Sequence, residues 1–317
     1  MTRSFAFKSR LYFHAPPGSA FQRDILDGVP VQWARARGVQ PAPVILYFHG
    51  GAYVFGTSTT HRAMLAKLSA LTGLPACLPD YRLAPEHAFP AQIDDALACY
   101  RALRATHEVI IGGDSAGGGL ALALLHEILA QGLAPPMGVF AFSPLTDVTY
   151  SGASVTENAA RDCVLSATRI GEMLEMFLRG QDPRDPRASP LFGRFTGAPP
   201  VWMTVGDTEI LRDDTLRMQA ALLACAIWRG GSGLFDPRDA KADRLGDMGQ
   251  ADMVRAVEIG DGARHAQHAV IAPRRQAKAA GDTGDKGAPL GIGRGDVIEH
   301  RAFGIGVEAH MGVARKA

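Results

Sequence analysis

Short apolar runs alternate with longer amphipathic stretches along most of the chain, from about residue 29 to residue 225. The apolar runs have the length of buried strands, and they are PVILYF (43–48), PACLP (75–79), EVIIGG (108–113), GVFAFS (138–143) and PVWMTVG (200–206). The amphipathic stretches predict helices over residues 61–71, 91–103, 116–130, 167–178 and 212–224. This repeated alternation predicts an α/β fold with a mostly parallel central sheet and helices on both faces.

Two regions lie outside the alternation. Residues 1–37 precede the first clear central strand, and residues 150–190 form a long insertion after a predicted strand. Ligands of parallel sheets bind at the carboxyl ends of the strands, so an insertion there is well placed to form a lid. The helix of the insertion carries Met173 and Met176, for which we expect a packing role because methionine fills irregular gaps.

Composition and charge narrow the range of partners. The chain has 317 residues, is 47% hydrophobic and carries a net charge of +1, so no overall attraction to nucleic acid is expected. Its cysteines form no CxxC pair, which argues against zinc and thioredoxin-like sites. The N-terminus lacks the apolar stretch of a secretory signal, and no segment reads as a membrane span. We therefore expect a soluble cytoplasmic protein.

The stretch VIIGGDSAGGGLALALLHEIL joins a predicted strand to a predicted helix through a glycine-rich turn. Residues 113–117 fit the pattern G-x-S-x-G, in which a serine on a tight strand-to-helix turn acts as a nucleophile. The pattern alone is a weak signal, but its position between a strand and a helix strengthens it. Ser115 is therefore the candidate nucleophile, and the alternative is a serine that only caps the helix.

A second glycine motif, HGGA at residues 49–52, follows the first predicted central strand. An acyl-transfer enzyme needs backbone N–H groups that stabilise the oxyanion of its intermediate. We expect the N–H groups of Gly50, Gly51 and Ala116 to converge on that oxygen. His49 lies on the oxyanion side and not on the loop that carries the base in such enzymes, so we expect a structural role for it.

Five motifs follow one another along the chain: HGGA (49–52), DYRLAPEHAFPA (80–91), GDSAGGGLAL (113–122), SPLTD (143–147) and RASPLFGRFTGAPPVWMTVGDTEILRDD (187–214). Together they resemble the hormone-sensitive-lipase-like branch of the α/β-hydrolases, the bacterial family IV carboxylesterases, over about residues 20–225. The resemblance implies a core of residues 38–149 and 191–225 under a helical cap built from residues 1–37 and 150–190. It also implies a serine carboxylesterase for short- to medium-chain acyl esters, without metal or cofactor.

Charged residues in and beside these motifs have expected structural roles. Asp80, Arg82 and Glu86 are expected to form a paired network that braces the oxyanion loop, because unpaired burial of such groups is costly. Asp114, which precedes the candidate nucleophile, is expected to be structural as well.

The acid of this fold follows the serine in the chain, and the histidine comes last. The resemblance aligns Glu209 with the acid of the family pattern D-P-L-x-D, and Asp207 is the second candidate. The resemblance also places a histidine after one more strand, but the chain has no histidine between His126 and His265. His265 and His268 are therefore the remaining candidates for the base.

The sequence changes character at about Ala226. More than half of residues 226–317 are Gly, Ala, Arg or Asp, aromatic residues are scarce, and the periodicity of strands and helices fades. We hypothesise that this atypical tail is a frame-shifted or otherwise foreign reading of the gene. Resequencing that finds one uninterrupted frame would refute the hypothesis. The alternative is a genuine divergent tail in which His265 or His268 returns to the site.

Three functions remain open from the sequence. The leading one is hydrolysis of carboxylic esters through an acyl-enzyme on Ser115, which is impaired if the histidine is lost, because an alcohol must lose its proton during attack. Amide hydrolysis uses the same groups, and a non-catalytic ligand-binding protein would keep the pocket without the base. The expected partner is a small-molecule ester, and the sequence leaves a homodimer open.

Overall fold

A computed structural model describes residues 14–39, 41–227 and 257–260, and an eight-stranded sheet forms the centre of this part of the chain. The strands are β1 (Ala20–Leu26), β2 (Val29–Arg35), β3 (Val44–Phe48), β4 (Ala76–Pro79), β5 (Val109–Asp114), β6 (Gly138–Phe142), β7 (Val201–Gly206) and β8 (Val257–Gly260). Their order across the sheet is β1-β2-β4-β3-β5-β6-β7-β8. Strands β3 to β8 run parallel to one another, whereas β2 runs antiparallel to β1 and β4.

The helices connect these strands as the sequence pattern predicts. They are α1 (Ser58–Thr72), α2 (Ala91–Arg104), α3 (Ala116–Ala130), α4 (Ser154–Glu157), α5 (Ile170–Leu178) and α6 (Arg212–Ile227). Short 3-10 turns occupy Ala167–Arg169 and Pro190–Phe192. The predicted α/β class, with its mostly parallel sheet, is confirmed.

Strand β3 shows why a central strand of this fold reads as one continuous apolar run. All five of its residues are buried. Val44, Leu46 and Phe48 belong to the larger core cluster, whereas Ile45 and Tyr47 belong to a second cluster that includes a residue of α1. Alternate side chains of a strand point to opposite faces, so the sheet is covered on both.

The N-terminal segment differs from its predicted place in the cap over residues 1–37. Its described part forms the β1–β2 hairpin, whose turn residues Asp27 and Gly28 have positive φ values of 45° and 83°. Strand β2 pairs with β4, and its Val31 and Trp33 are buried in the main core. The alternating apolar positions of β2 are a strand pattern, so the described part of this segment belongs to the sheet.

The insertion over residues 150–190 packs against the loop that follows β3. The Phe177 ring of α5 stacks on Tyr53 with ring centroids 4.2 Å apart. The Phe177 carbonyl oxygen also accepts a hydrogen bond of 2.8 Å from the Phe89 N–H. The insertion is thereby anchored beside the HGGA motif.

Strand β8 lies inside the atypical tail, where the sequence pattern reveals no final strand. It pairs in parallel with β7, with Met203 opposite Val257 and Gly206 opposite Gly260. Apart from β8 and the end of α6, the tail lies outside the described residues, so the hypothesis of a foreign reading stays a hypothesis.

Candidate active site

Ser115 lies on the turn between β5 and α3, and its backbone is in the left-handed region with a φ of 53°. Such a conformation is strained for a residue other than glycine. Both flanking glycines are needed because the main chain passes close by. A Cβ on Gly113 would collide with the Gly117 carbonyl, and a Cβ on Gly117 would collide with the Phe48 carbonyl. The turn therefore has the geometry of a nucleophile elbow.

Ser115 lines a small pocket that opens to solvent. The insertion contributes Leu165, Ser166, Ile170 and Met173 to its wall, and the loops after β6 and β7 supply further apolar side chains. None of the described lining residues is charged. Met173 thus faces the pocket, whereas Met176 packs against the core as expected.

The HGGA loop presents different amides from those expected. The Gly50 N–H donates a hydrogen bond of 3.0 Å to Oδ1 of Asp114, so it is not free to bind an oxyanion and the prediction for Gly50 is wrong. The N–H groups of Gly51, Ala52 and Ala116 have no acceptor within the described ranges. Ala52 lines the same pocket as Ser115. The free N–H donors of this loop are therefore those of Gly51 and Ala52, one residue further along the chain than predicted.

Asp114 ties the oxyanion loop to the nucleophile turn, which confirms its structural role. Its Oδ1 accepts hydrogen bonds of 3.0 Å from the Tyr47 hydroxyl and the Gly50 N–H. Nε2 of His61 lies 3.5 Å from the same oxygen. Burial alone would raise the pKa of Asp114, but these three interactions outweigh it and lower the pKa below its usual value. The carboxylate is therefore ionised at neutral pH.

His49 is a buried structural group. Burial lowers its pKa to about 4, which makes the ring neutral at pH 7. Its Nδ1 lies 2.8 Å from the Gly50 carbonyl oxygen, to which a protonated Nδ1 donates. The ring stacks on Tyr81 at 4.5 Å, and the Tyr81 hydroxyl donates to the His49 carbonyl oxygen. These contacts hold the start of the oxyanion loop against the core, in agreement with the structural role expected.

The predicted network of Asp80, Arg82 and Glu86 does not form, because each residue faces a different neighbour. The Asp80 carboxylate accepts hydrogen bonds from the main chain and hydroxyl of Ser58, at the start of α1. Arg82 pairs with Asp95 of α2 at 2.7 Å, and Glu86 is exposed. Of the three residues, only Asp80 forms hydrogen bonds at the end of the oxyanion loop.

Glu209 lies on the loop after β7, two strands away from Ser115 at the same sheet edge. Its Oε1 accepts hydrogen bonds from the Ser143 hydroxyl at 2.8 Å and the Gly206 N–H at 2.7 Å. The next residue, Ile210, lines the pocket together with Ser115. By contrast, the carboxylate of Asp207 has no hydrogen bond to the described residues, so the geometry favours Glu209 as the acid.

Two side chains of the insertion, which the sequence analysis did not identify, hold this acid loop. The Asn158 side chain donates to the carbonyl oxygens of Asp207 at 3.0 Å and Glu209 at 2.8 Å. The Asp162 carboxylate accepts the Ile210 N–H at 2.9 Å. Ser143 was missed too, although its motif SPLTD belongs to the resemblance and was a usable signal.

The two histidines considered for the base, His265 and His268, lie outside the described residues. Within those residues there is no cluster of three or more His, Cys, Asp or Glu that could hold a metal ion. No helix in this part of the chain is long and apolar enough to cross a membrane.

Comparison with known proteins decides the family. A family model described as alpha/beta hydrolase fold matches residues 45–227, more than half of the chain. The chain is an α/β-hydrolase. The matched segment carries the nucleophile turn, the oxyanion loop and the acid loop.

Relatives of this α/β-hydrolase are esterases and acetyl-hydrolases. It is 38% identical over 216 residues to an acetyl-hydrolase of Streptomyces hygroscopicus, covering 66% of this chain and 70% of that protein. It is 36% identical over 201 residues to an esterase of Acinetobacter venetianus, covering 60% of this chain and 66% of that protein. The matches thus span about two thirds of the relatives' length.

Solved structures agree with the sequence relatives. One is an esterase from the bacterial hormone-sensitive lipase family, with a TM-score of 0.69 and 35% identity over 71% of this chain and 76% of that one. Another is an esterase/lipase from an uncultured bacterium, with a TM-score of 0.66 and 37% identity over the same shares. The α/β-hydrolase therefore belongs to the hormone-sensitive-lipase-like branch, and to the class of carboxylic ester hydrolases.

Proposed function

We propose that this α/β-hydrolase is a serine carboxylesterase that cleaves short- to medium-chain acyl esters through an acyl-enzyme on Ser115. One observation carries the proposal: Ser115 and Ala52 line the same pocket, and the N–H groups of Gly51, Ala52 and Ala116 are left without acceptors within the described ranges. An oxyanion needs such donors. Their positions support acyl transfer in particular, because a serine that only capped a helix would need no second set of free amides.

The Ser115 hydroxyl attacks the acyl carbon and forms a tetrahedral intermediate. Its oxyanion accepts hydrogen bonds from the free amides beside Ser115, each worth about 2.7–4 kcal/mol of barrier in comparable enzymes. An imidazole takes the serine proton and returns it to the leaving alcohol, while Glu209 holds its tautomer and stabilises its cation. Water then cleaves the acyl-enzyme by the same route. His265 and His268 remain our candidates for the imidazole.

The pocket supports an uncharged acyl group. Its described lining is apolar except for Ser115, Ser166 and Tyr150, so a charged acyl chain would find no ion-pair partner there. Unpaired charge is costly to bury. The name acetyl-hydrolase of one relative agrees with a short acyl chain, and we propose that acetyl and butyryl esters are substrates.

A non-catalytic ligand-binding protein is the second candidate, because no described histidine lines the pocket. One assay, with p-nitrophenyl acetate and butyrate as substrates, distinguishes the two functions. We expect turnover by the wild type that is lost in Ser115→Ala. Binding of the ester without turnover would instead favour the ligand-binding protein.

The same assay tests the base. If the tail is genuine and supplies the base, His265→Ala or His268→Ala abolishes turnover, whereas His107→Ala, a control in the turn after α2, retains it. Turnover that survives both tail substitutions would remove these two histidines from the mechanism.

A further inference from the structure

The carboxylate of Glu209 is held from one side only within the described residues. Both of its hydrogen bonds end on Oε1, one from the Ser143 hydroxyl at 2.8 Å and one from the Gly206 N–H at 2.7 Å. Oε2 has no partner in that part of the chain. Two donors on one oxygen restrict the rotation of the carboxylate and leave the other oxygen open for an imidazole N–H.

The two donors differ in kind. Gly206 is the last residue of β7, so its N–H direction is set by the main chain. The Ser143 hydroxyl comes from the end of the neighbouring strand β6, 66 residues away in sequence. The Ser143 N–H donates to the Thr204 carbonyl oxygen at 2.7 Å, which attaches this residue to β7 as well. The hydroxyl therefore reaches Glu209 from a rigid position.

The backbone of Ser143 is unusual for a residue with a side chain. Its φ is 45°, in the left-handed region where glycine is the residue of least strain. Strained residues persist where the surrounding structure holds them, and they cluster at functional sites. A glycine would suit this backbone better but would leave Glu209 without its side-chain donor.

We propose that Ser143 is a positioning residue for the acid: its hydroxyl fixes Oε1 of Glu209 so that Oε2 faces the catalytic imidazole. This inference rests on the proposed function, because it assigns Ser143 a role through Glu209. Ser143 itself is not among the residues that line the pocket beside Ser115.

The test compares Ser143→Gly with wild type in the full chain, with p-nitrophenyl butyrate as substrate. Glycine removes the hydroxyl and relieves the positive φ, so the variant is expected to fold. We expect kcat to fall about 10- to 100-fold, the effect of losing one hydrogen bond to a charged group, with little change in KM. Ser151→Ala is the matched control, because Ser151 donates to a different carboxylate, that of Asp147, at 2.6 Å. It should keep the wild-type kcat.

A double-mutant cycle shows whether Ser143 acts through Glu209. In a Glu209→Gln background, Ser143→Gly should cause no further loss of kcat, whereas a merely structural role would lower the rate again. Additive losses, or an unchanged kcat in the single variant, would overturn the proposal.

Crystal structures of wild type and Ser143→Gly provide a measurement that needs no turnover. We expect the Glu209 carboxylate to leave the Gly206 N–H in the variant. A carboxylate that keeps its place overturns the positioning role even if the enzyme is inactive. Conversely, a displaced carboxylate in an enzyme without Ser115-dependent turnover supports the positioning of Glu209 while the esterase function fails.

Discussion

The two halves of the site are built in different ways. Around Ser115, main-chain geometry dominates: a tight turn, close-packed glycines and free amides, all within the consecutive elements β3 to α3. Around Glu209, side chains dominate: Ser143 holds the carboxylate, Asn158 binds the loop carbonyls and Asp162 accepts the Ile210 N–H. The oxyanion half is thus built on the turns that follow β3 and β5, whereas the acid half depends on the insertion.

This difference has a physical consequence. Backbone donors fixed in tight turns need no rearrangement when charge develops, which is the main source of their catalytic value. The acid loop, by contrast, is held by partners 48 to 66 residues away in sequence. We therefore expect substitutions in the oxyanion half to lower the rate most strongly, substitutions in the acid half to lower it less or to change stability, and substitutions in the cap to change selectivity.

The largest effect is expected from Gly51→Ala. Gly51 has a φ of 128°, and a Cβ there would collide with the Phe55 carbonyl, so the loop and its amides must move. We expect kcat to fall by at least about 10²-fold, as when an oxyanion donor is lost. Steady-state kinetics with p-nitrophenyl butyrate measures this effect.

Gly132→Ala is the control for backbone strain alone. Gly132 also has a positive φ, of 64°, but a Cβ there would meet nothing within 4 Å. We expect a stability loss of about 1–2 kcal/mol and an unchanged kcat. Equal kcat values for Gly51→Ala and Gly132→Ala would contradict the expected importance of the oxyanion loop for the rate.

A smaller effect, on stability, is expected from Asp214→Asn in the acid half. Oδ2 of Asp214 accepts the N–H groups of Thr146 and Asp147 at 2.7 and 2.9 Å. Burial raises its pKa from 3.8 to about 7, against the opposing effect of these hydrogen bonds. The folded protein therefore keeps a proton that the unfolded chain loses.

The sign of the pH dependence follows from that raised pKa. Stability from Asp214 is fully present below about pH 4 and declines as pH rises to about 7. His49 acts in the opposite direction, because its pKa is lowered to about 4 and the unfolded chain binds its proton first. The difference in the free energy of unfolding between wild type and Asp214→Asn, measured as a function of pH, isolates the contribution of Asp214. A difference that does not change between pH 4 and 7 would contradict the prediction.

The smallest effect is expected in the cap. Met173 lines the pocket, so Met173→Ala should enlarge it and raise the preference for p-nitrophenyl hexanoate over acetate about 3- to 10-fold in kcat/KM. Met176 packs against the core instead, so Met176→Ala should leave the preference unchanged and lower stability by about 1–2 kcal/mol. The same shift in both variants would mean that the cap changes selectivity through its stability.

The parts that were predictable from sequence are those determined by local pattern. Helix α3 begins and ends at the predicted residues, and the five predicted central strands occur within a residue or two of their expected ends. The turn at Ser115 was recognisable because the strand, the glycines and the helix are adjacent in the chain. Burial on both faces makes such strands continuously apolar.

The parts that were not predictable depend on partners far apart in sequence. The Gly50 N–H is taken by Asp114, 64 residues away, so the free amides lie one residue further on than expected. Arg82 likewise pairs with Asp95 and not with Asp80 or Glu86. Asn158 carries no local signal for its distant bonds to the acid loop, and Ser143 was marked only by its motif SPLTD.

The most direct test of the central claim is a crystal structure of the enzyme treated with an alkyl fluorophosphonate, which mimics the tetrahedral intermediate. We expect a covalent bond to Ser115 Oγ, with the phosphonyl oxygen about 2.7–3.1 Å from the N–H groups of Gly51, Ala52 and Ala116. An unmodified Ser115, or an adduct whose oxygen is not within hydrogen-bond distance of these amides, would contradict the account.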